Sequence, residues 1–248
     1  MKYKVWTISL CFMDADIIHD SLEQYYKTKS PEVETVHVLV DQHWPINYPQ
    51  HRIELEKIAK KFNCILLDPG KNLGLHGGFN WAWEQLAIPP NAAVIGYDPD
   101  SWPVTPGWDL AICRAFVTRP DAVWFSLWHQ HCDRQIDQEG ALLRNFNAGG
   151  ISCAQVSRAV MNSVCAFRQS WLQKIGGLYE QNNFYGGLEC DLWEKISYNE
   201  WVFLRDYKEI PKLYDRMNPL FKEWKWKTAH TKEIPHTMDF ESWLKTKA

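Results

Sequence analysis

The first half of the chain alternates short apolar runs with longer stretches in which apolar residues recur at helical spacing. The apolar runs lack polar alternation, which is typical of strands buried on both faces of a sheet. They predict strands at Lys4–Phe12, Thr35–Val40, Cys64–Leu67 and Ala92–Tyr97. The amphipathic stretches predict helices at Ile17–Lys27, Arg52–Phe62 and His76–Ala87. Repeated strand–helix units of this length predict an α/β fold with a parallel sheet and helices on both faces.

The pattern changes in the second half. The segment His129–Ser157 is polar and contains three glycines, which predicts loops or a small hairpin. Regular structure is expected again at Val160–Arg168, then as a helix near Leu188–Ser197 and a strand at Trp201–Leu204. Because no linker, repeat or low-complexity stretch interrupts the chain, we expect one domain with an elaborated C-terminal half.

The composition is that of a globular protein. Of the 248 residues, 46% are hydrophobic and 23% are charged, which argues against disorder. The net charge of −3 argues against binding nucleic acid mainly through backbone phosphates, although it leaves room for a local basic patch. Fourteen tryptophans either offer stacking surfaces to flat ligands such as sugars or bases, or fill the core.

The cysteines and the first residues of the chain indicate the cellular compartment of the protein. Seven scattered cysteines, an odd number without a C-x-x-C pair, indicate reduced thiols rather than a disulfide framework. Asp14 and Asp16 interrupt the first apolar run too early for a signal peptide. No run approaches the ~20 apolar residues that a membrane span needs. These features predict a cytoplasmic protein without a membrane span.

Polar residues follow the second and third predicted strands, and open α/β sheets bind their ligands beyond such strand ends. Asp41 ends the second strand, and Asn72, Gly74 and Asn80 lie in the segment DPGKNLGLHGGFN after the third. Taken singly, Asp41 also fits an ordinary turn. The glycines lack the full G-x-G-x-x-G spacing of a dinucleotide-binding loop, and they also fit a turn and a close helix–strand contact.

Asp98 and Asp100 follow the fourth predicted strand in the segment YDPDSWP. An isolated Asp-Pro-Asp is compatible with a simple turn. Two carboxylates at i and i+2 directly after a buried strand are, however, hard oxygen ligands that can share a divalent ion. Such an ion neutralises a diphosphate and helps a nucleoside diphosphate to depart.

The order of these segments resembles the glycosyltransferase family 2-like group of GT-A enzymes over residues 4–200. The matching segments are VLVDQ, NLGLHGGFNWAWEQ, VIGYDPDSWPVTPGWDLAI and IGGLYEQNNFYGGLECDLWEKI. The resemblance implies a GT-A fold, which is Rossmann-like, with a mostly parallel central sheet flanked by helices. It implies a single domain with a nucleotide-sugar-binding half (1–128), an acceptor and catalytic half (129–220) and a basic, Trp-rich C-terminal tail (221–248).

The resemblance also implies roles on the donor side. Asp41 would contact the nucleoside of the donor. Asn72 and Gly74 would line the pocket beside the base and ribose, and Asn80 would belong to the same donor-binding set. Asp98 would lie near the ribose or the metal.

The same resemblance implies a metal site and a catalytic base. Asp100 would ligate a Mn²⁺ or Mg²⁺ ion that bridges the diphosphate, with Asp98 beside it. Glu189 would be the general base that deprotonates an acceptor hydroxyl and gives inversion. The chain departs from the family here, because Leu188 stands where the family has Glu, and a different register would make Asp191 the base. Both acids also fit the start of a helix without a catalytic role.

The C-terminal stretch FKEWKWKTAHTKEIPH interleaves lysines with tryptophans. In the GT-A group a late His often completes the metal site, which makes His230 the candidate metal ligand and His236 the alternative. The stretch also fits a solvated tail with aromatic anchors, or a surface that meets an anionic acceptor or nucleic acid. The group His129-x-His131-Cys132 has no partner pair at ligand spacing, which argues against zinc.

The sequence therefore predicts a metal-dependent, inverting glycosyltransferase that uses a nucleotide sugar, with a uridine diphosphate sugar as the donor. The acceptor is open between a saccharide, a small molecule and a hydroxylated DNA base of the kind that some phage enzymes modify. A nucleotidyltransferase is disfavoured, because CFMDADIIHD after the first strand offers no Gly-rich phosphate loop with Arg and Lys. A non-catalytic nucleotide-sugar-binding module is the remaining alternative.

Overall fold

A computed structural model of the chain describes residues 3–158, 160, 163–178, 201–210, 213–235 and 237–247. The strands are β1 (Tyr3–Cys11), β2 (Val33–Asp41), β3 (Ile65–Leu67), β4 (Ala93–Tyr97), β5 (Trp102–Pro103), β6 (Trp124–His129), β7 (Leu142–Ala148), β8 (Ile151–Val156), β9 (Val164–Arg168) and β10 (Trp201–Ile210). The α-helices are α1 (Ala15–Thr28), α2 (Tyr48–Phe62), α3 (Gly74–Glu84), α4 (Trp108–Thr118), α5 (Gln169–Ile175), α6 (Pro219–Trp226) and α7 (Phe240–Lys245). Short π-helical turns lie at Asp133–Gln138 and Lys227–Thr231, and a 3₁₀ turn lies at Tyr214–Arg216.

The strands of the described residues form one sheet in the order β3-β2-β1-β4-β9-β6-β10-β8-β7, with β5 paired to β10. The four strands β3, β2, β1 and β4 are parallel, as the sequence pattern predicts. Beyond β4 the sheet is mixed, because β9 runs antiparallel to both β4 and β6, and β8 runs antiparallel to β10. The predicted α/β class with a central sheet flanked by helices is confirmed.

Both faces of the sheet are buried, which explains the unbroken apolar runs in the sequence. One face packs Ile8, Val38 and Val40 with Phe79 of α3. The opposite face carries a second cluster, built on strands β1, β4 and β6 and covered by α1 and α4. Many of the tryptophans fill this interior, with Trp44, Trp108, Trp124, Trp201 and Trp224 among the largest fully buried side chains.

A third apolar cluster holds the C-terminal segment against the end of the sheet. Phe12 follows β1 and Trp44 follows β2, and both pack edge-on against Phe221 of α6, with ring centroids 5.7 and 5.0 Å away. Trp224 stacks on Phe221 at 5.6 Å and is buried. The aromatic side chains therefore dock α6 over the carboxyl ends of the first strands. The sequence alone did not decide whether this C-terminal segment packs on the domain or extends into solvent.

The polar segment after β6 contains a π-helical turn and the β7–β8 hairpin. None of the helices in the described part of the chain combines the length and apolar character that crossing a bilayer requires. The predicted helix near Leu188–Ser197 lies outside the described residues. The strand predicted at Trp201–Leu204 continues to Ile210, past a register shift between Leu204 and Lys208.

Candidate functional site

The carboxyl ends of the parallel strands meet at one edge of the sheet. Strands β1, β2, β3, β4, β6 and β10 run in the same direction, so the residues that follow them share this edge. Strand order reverses between β1 and β4, because the chain first adds strands on one side of β1 and then on the other. Ligands of open α/β sheets bind in the crevice at such a switch point.

Asp98 and Asp100 lie on a tight turn at this edge. The Asp98 amide donates to the Ser163 carbonyl at 3.0 Å, and the Ser101 amide donates to the Asp98 carbonyl at 3.0 Å. Pro99 occupies the second position of this turn, where its fixed φ is favoured. Both aspartates are partly buried. The turn therefore presents two acidic side chains from a backbone that β4 and the residue before β9 hold in place.

A third acidic residue lies close by, and the sequence reasoning missed it. Glu209 of β10 is 1% exposed, and its Oε1 accepts a hydrogen bond from the Ser163 amide at 2.8 Å. Its Oε2 has no hydrogen-bond partner among the described residues. Burial raises the pKa of the Glu209 carboxyl well above its usual range, and the negative charges of Asp98 and Asp100 raise it further. The sequence provides no signal for Glu209, because it follows Arg205, Asp206 and Lys208, after the apolar run of the strand has ended.

The docked helix α6 brings a cation to the same turn. Lys225 Nζ lies 3.8 Å from Asp100 Oδ2, and both side chains are largely buried. The neighbouring Lys227 pairs instead with Glu223 and Glu233, at 3.1 and 3.5 Å. The interleaved lysines of the C-terminal segment are therefore partly neutralised by acids of the same segment, and they do not form a uniform cationic surface.

The residues at the turn fit a hard divalent cation. The carboxylates of Asp98 and Asp100 and the buried Ser101 hydroxyl, which has no hydrogen-bond partner among the described residues, offer oxygen atoms in a region of negative potential. Within the described residues, Asp98 and Asp100 do not belong to a group of three His, Cys, Asp or Glu ligand atoms within 4.8 Å of one another. Mn²⁺ and Mg²⁺ commonly complete their coordination with phosphate and water, so two carboxylates suffice as the protein's share.

Asp41 lies at the same edge, and its surroundings differ. The carboxylate is fully buried. Its Oδ1 accepts from the His43 amide at 2.9 Å, and its Oδ2 accepts from the Tyr48 hydroxyl at 3.2 Å and from Arg52 Nη1 at 3.0 Å. The His43 ring stacks on Tyr48, with centroids 4.6 Å apart and planes 16° from parallel.

Arg52 also joins Asp41 to Asp68, the first residue after β3, through a 3.2 Å contact with Asp68 Oδ2. Burial acts to raise the pKa of Asp68, but hydrogen bonds from His43 and the Gly70 amide outweigh it and lower that pKa. Asp41, His43 and Asp68 lie close enough together to hold a metal ion. The guanidinium of Arg52 already supplies the positive charge, so this group is better described as an ion-pair network than as a cation site.

The predicted donor-binding residues after β3 form the start of α3. Asn72 Oδ1 accepts from the Gly74 amide at 2.8 Å, and Gly74 has a φ of 71°, which a residue with a side chain rarely adopts. The amide of Leu73 donates to Gln42 Oε1 at 2.8 Å, which ties this turn to the residue after Asp41. Asn72 and Gly74 thus lie at the same edge as Asp41.

Asn80 points into the protein. Its Oδ1 accepts from the Leu178 amide and its Nδ2 donates to the Leu178 carbonyl, both at 2.7 Å. The side chain is buried. Both polar atoms of the predicted donor-binding amide are therefore engaged with the backbone of Leu178.

Several predicted residues fall outside the description. Glu189, Asp191 and His236 lie outside the described residues, and for His230 only the backbone, in the turn after α6, is described. His129 and Cys132 are buried, and burial lowers the pKa of His129 to about 4, to which the charge of His131 adds. Within the described ranges His129, His131 and Cys132 do not form a three-ligand group.

No protein-family model matches the chain, and no curated protein matches it. Solved structures do match. The mannosyltransferase PcManGT from Pyrobaculum calidifontis, in complex with GDP-Man and Mn²⁺, has a TM-score of 0.61 and 16% identity, over 87% of this chain and 59% of its own. TarS 1-349 of S. aureus has a TM-score of 0.55 and 16% identity, over 98% of this chain and 68% of its own.

GalNAc-T7, with UDP, GalNAc and Mn²⁺, has a TM-score of 0.58 and 10% identity, over 100% of this chain and 54% of its own. The chain thus spans only part of the length of these proteins. What they share with it is the arrangement of the sheet and its flanking helices. The chain has the GT-A fold of these glycosyltransferases.

Proposed function

We propose that the protein is a metal-dependent, inverting glycosyltransferase that moves a sugar from a nucleotide donor to an acceptor hydroxyl. The observation that carries the proposal is the Asp98–Asp100 turn at the switch point of a GT-A sheet. The field there favours a cation, because two carboxylates face a buried, strongly pKa-shifted Glu209. Two of the matching structures are complexes, one with GDP-Man and Mn²⁺ and one with UDP, GalNAc and Mn²⁺, which supports a nucleotide sugar and a divalent ion.

Asp100 and Asp98 hold the metal in this proposal, with Mn²⁺ or Mg²⁺ as the ion. When bound, the ion neutralises the diphosphate and stabilises it as a leaving group. Lys225 lies beside Asp100 and adds a second positive charge on the diphosphate side. Because α6 is docked by the aromatic cluster, this ammonium is held in place without a large rearrangement of the C-terminal segment.

The nucleoside binds at the ends of β2 and β3, with uridine as the proposed base. Asp41 is fixed by His43, Tyr48 and Arg52, so its carboxylate is held in one orientation. The stacked rings of His43 and Tyr48 give this end of the crevice a flat surface suited to a base. The Asn72–Gly74 turn forms the adjoining wall.

Glu189 is the proposed general base, and Asp191 is the alternative. Deprotonation of the acceptor hydroxyl by a carboxylate, opposite the departing diphosphate, gives inversion at the anomeric carbon. Replacement of Glu189 by Gln should abolish transfer and keep donor binding. If Asp191→Asn has that effect instead, Asp191 is the base.

The acceptor is a hydroxyl compound whose class stays open between a saccharide, a small molecule and a hydroxylated DNA base. The pairing of Lys227 with Glu223 and Glu233 weighs against an extended contact with a polyanion. A non-catalytic nucleotide-sugar-binding module is the alternative function. It shares the fold and the donor site, and it differs by binding the donor without turnover.

The test is incubation with a panel of nucleotide sugars and Mn²⁺, followed by mass spectrometry of the released nucleotide and of any product. We expect turnover of a uridine diphosphate sugar, lost on chelation of the metal and in Asp100→Ala. Asp215→Ala is the matched control, because that carboxylate is exposed on the 3₁₀ turn. Tight donor binding without turnover identifies a binding module. Equal behaviour of the wild type and Asp100→Ala contradicts the proposed metal site.

A further inference from the structure

The turn that begins at Asp98 is anchored at its first residue by two consecutive hydrogen bonds. The Asp98 amide donates to the Ser163 carbonyl at 3.0 Å, and the Ser163 amide donates to Glu209 Oε1 at 2.8 Å. The bond between Asp98 and Ser163 continues the antiparallel ladder of β4 and β9 one position beyond its last pair. Glu209 is thus joined to a proposed metal ligand through the backbone of a single residue.

The Ser163 amide lies where the pairing of β9 with its other neighbour has ended. Strand β6 flanks β9 on the side away from β4, and the pairs between them end at Ser126 and Cys165. Glu209 belongs to β10, two strands away from β9 in the sheet order, and its side chain supplies the acceptor instead. Glu209 is 1% exposed, so water has little access to this bond. The carboxylate therefore fixes the chain at the start of β9.

An irregularity in β10 places Glu209 at this level of the sheet. In the parallel ladder with β6, three extra residues of β10 lie between Leu204 and Lys208, which pair with consecutive residues of β6. In an unbroken ladder Asp206 would lie opposite His129, but Glu209 lies there instead. Asp206 is exposed, whereas Glu209 is buried. Bulges of this kind redirect a side chain, and they are common beside active sites.

The last residue of the turn is held without Glu209. The Ser101 carbonyl accepts from the Tyr97 hydroxyl at 2.8 Å and from the Ser21 hydroxyl at 3.0 Å. Loss of the bond between Glu209 and Ser163 should therefore release the Asp98 end of the turn and leave the other end in place.

We propose that Glu209 is a positioning residue, which holds Asp98 in place for the metal by fixing the backbone of Ser163. This inference rests on the proposed function, because it takes Asp98 and Asp100 as the residues that bind the ion. Glu209 supplies a hydrogen-bond acceptor at the correct reach, and its negative charge is not required. The loss of a residue that orients a metal ligand lowers metal affinity by about 10- to 100-fold.

The test compares Glu209→Asp with Glu209→Gln. Asp keeps the charge but is one methylene shorter, so its carboxylate no longer reaches the Ser163 amide. Gln keeps the reach and an acceptor oxygen but removes the charge. We expect the Kd for Mn²⁺, measured by electron paramagnetic resonance at a fixed concentration of UDP, to rise at least about tenfold in Glu209→Asp and less than about threefold in Glu209→Gln.

Asp206→Ala is the matched control. Its carboxylate lies on the same strand and also accepts from a backbone amide, that of Ser152 at 3.3 Å, which belongs to β8 and not to the metal-binding turn. The control should bind Mn²⁺ as the wild type does.

Hydrogen exchange gives a readout that needs neither metal nor donor. The amides of Ser163 and Asp98 should exchange at least about tenfold faster in Glu209→Asp than in the wild type, without a change in peptides from β2. Unchanged exchange at both amides would overturn the proposal. A greater loss of Mn²⁺ affinity in Glu209→Gln than in Glu209→Asp would also overturn it, because Glu209 would then act through its charge.

Two further outcomes are decided by the same measurements. If Glu209→Asp does not fold, Glu209→Gln decides, since wild-type exchange and Mn²⁺ affinity in that variant support the proposal and a loss of either contradicts it. If the wild type binds no Mn²⁺ in the presence of UDP, the proposed metal site fails, while the exchange of the Asp98 amide still decides whether Glu209 holds the turn.

Discussion

Two strand ends of this protein carry aspartates, and their surroundings are opposite in character. At the end of β2, Asp41 is fully buried and accepts three hydrogen bonds, one of them from the guanidinium of Arg52. After β4, Asp100 is largely buried and forms a 3.8 Å ion pair with Lys225. Among the described residues, the Asp41 carboxylate is therefore the more tightly held of the two.

The difference follows from the neighbours of each strand end. Helix α2 lies beside β2 and places Arg52 between Asp41 and Asp68, where it pairs with both carboxylates. The strand β10 instead brings a third carboxyl, Glu209, to the β4 turn, and burial raises its pKa, as do the negative charges of Asp98 and Asp100. A carboxylate held by three hydrogen bonds suits recognition of a neutral base, and a turn with two carboxylates at i and i+2 suits a divalent cation.

The largest effect expected from this comparison is on metal affinity. Asp100→Asn should weaken Mn²⁺ binding by at least about 100-fold, because it removes a charged ligand and not merely an outer-shell partner, whose loss alone costs 10–100-fold. Asp68→Asn should change the affinity by less than about threefold, since Arg52 already neutralises that cluster. Electron paramagnetic resonance of bound Mn²⁺ at a fixed concentration of UDP measures both. A larger loss in Asp68→Asn would place the ion at the Asp41 cluster instead.

The next effect is on stability. Arg52→Ala should lower the free energy of unfolding by about 2 kcal/mol, because it leaves the buried Asp41 without its cation. This is less than the loss on breaking a fully buried pair, since Arg52 is partly exposed and Asp41 keeps two hydrogen bonds. Lys57→Ala, which breaks an exposed pair with Glu54 on the same helix, should cost less than about 0.5 kcal/mol. Urea unfolding measures the difference, and equal losses would contradict the assigned role of Arg52.

The smallest expected effect is on how the free energy of unfolding depends on pH. Its sign should be opposite at the two strand ends. Glu209 has a raised pKa, so the folded protein holds a proton that the unfolded chain loses above pH ~4.5, and stability falls as pH rises. Glu209→Gln should flatten the decline in unfolding free energy between pH 5 and pH 8, measured without metal.

Asp68 should make the free energy of unfolding change with pH in the opposite direction. Its pKa is lowered, so the stability it contributes is present above its unfolded value and is lost as pH falls through its folded value. Asp68→Asn should therefore flatten the acidic side of the stability profile and leave the decline between pH 5 and pH 8 in place. A Glu209→Gln profile parallel to that of the wild type would show that Glu209 is ionised in the folded protein.

The sequence by itself determined the strands and helices of the first half and the position of Asp41 and Asp98 at strand ends. These features are local, because a strand buried on both faces requires an unbroken apolar run and a parallel repeat requires a helix between strands. The D-x-D spacing was equally local. The same logic did not extend beyond β4, where strand order depends on pairing between distant segments and β9 inserts antiparallel.

Only the tertiary structure decided which residues join these strand ends. Glu209 reaches the Asp98 turn because β10 pairs with β6, and Lys225 reaches Asp100 because buried aromatic side chains dock α6. Asn80 is expected in the donor site from its motif, and in the structure its amide pairs with the backbone of Leu178. Each of these contacts joins segments far apart in the chain, so no local periodicity encodes it. The pattern of apolar runs in the sequence therefore predicts the sheet edge at which Asp41 and Asp98 lie. Long-range packing determines that Glu209 and Lys225 lie beside the Asp98 turn.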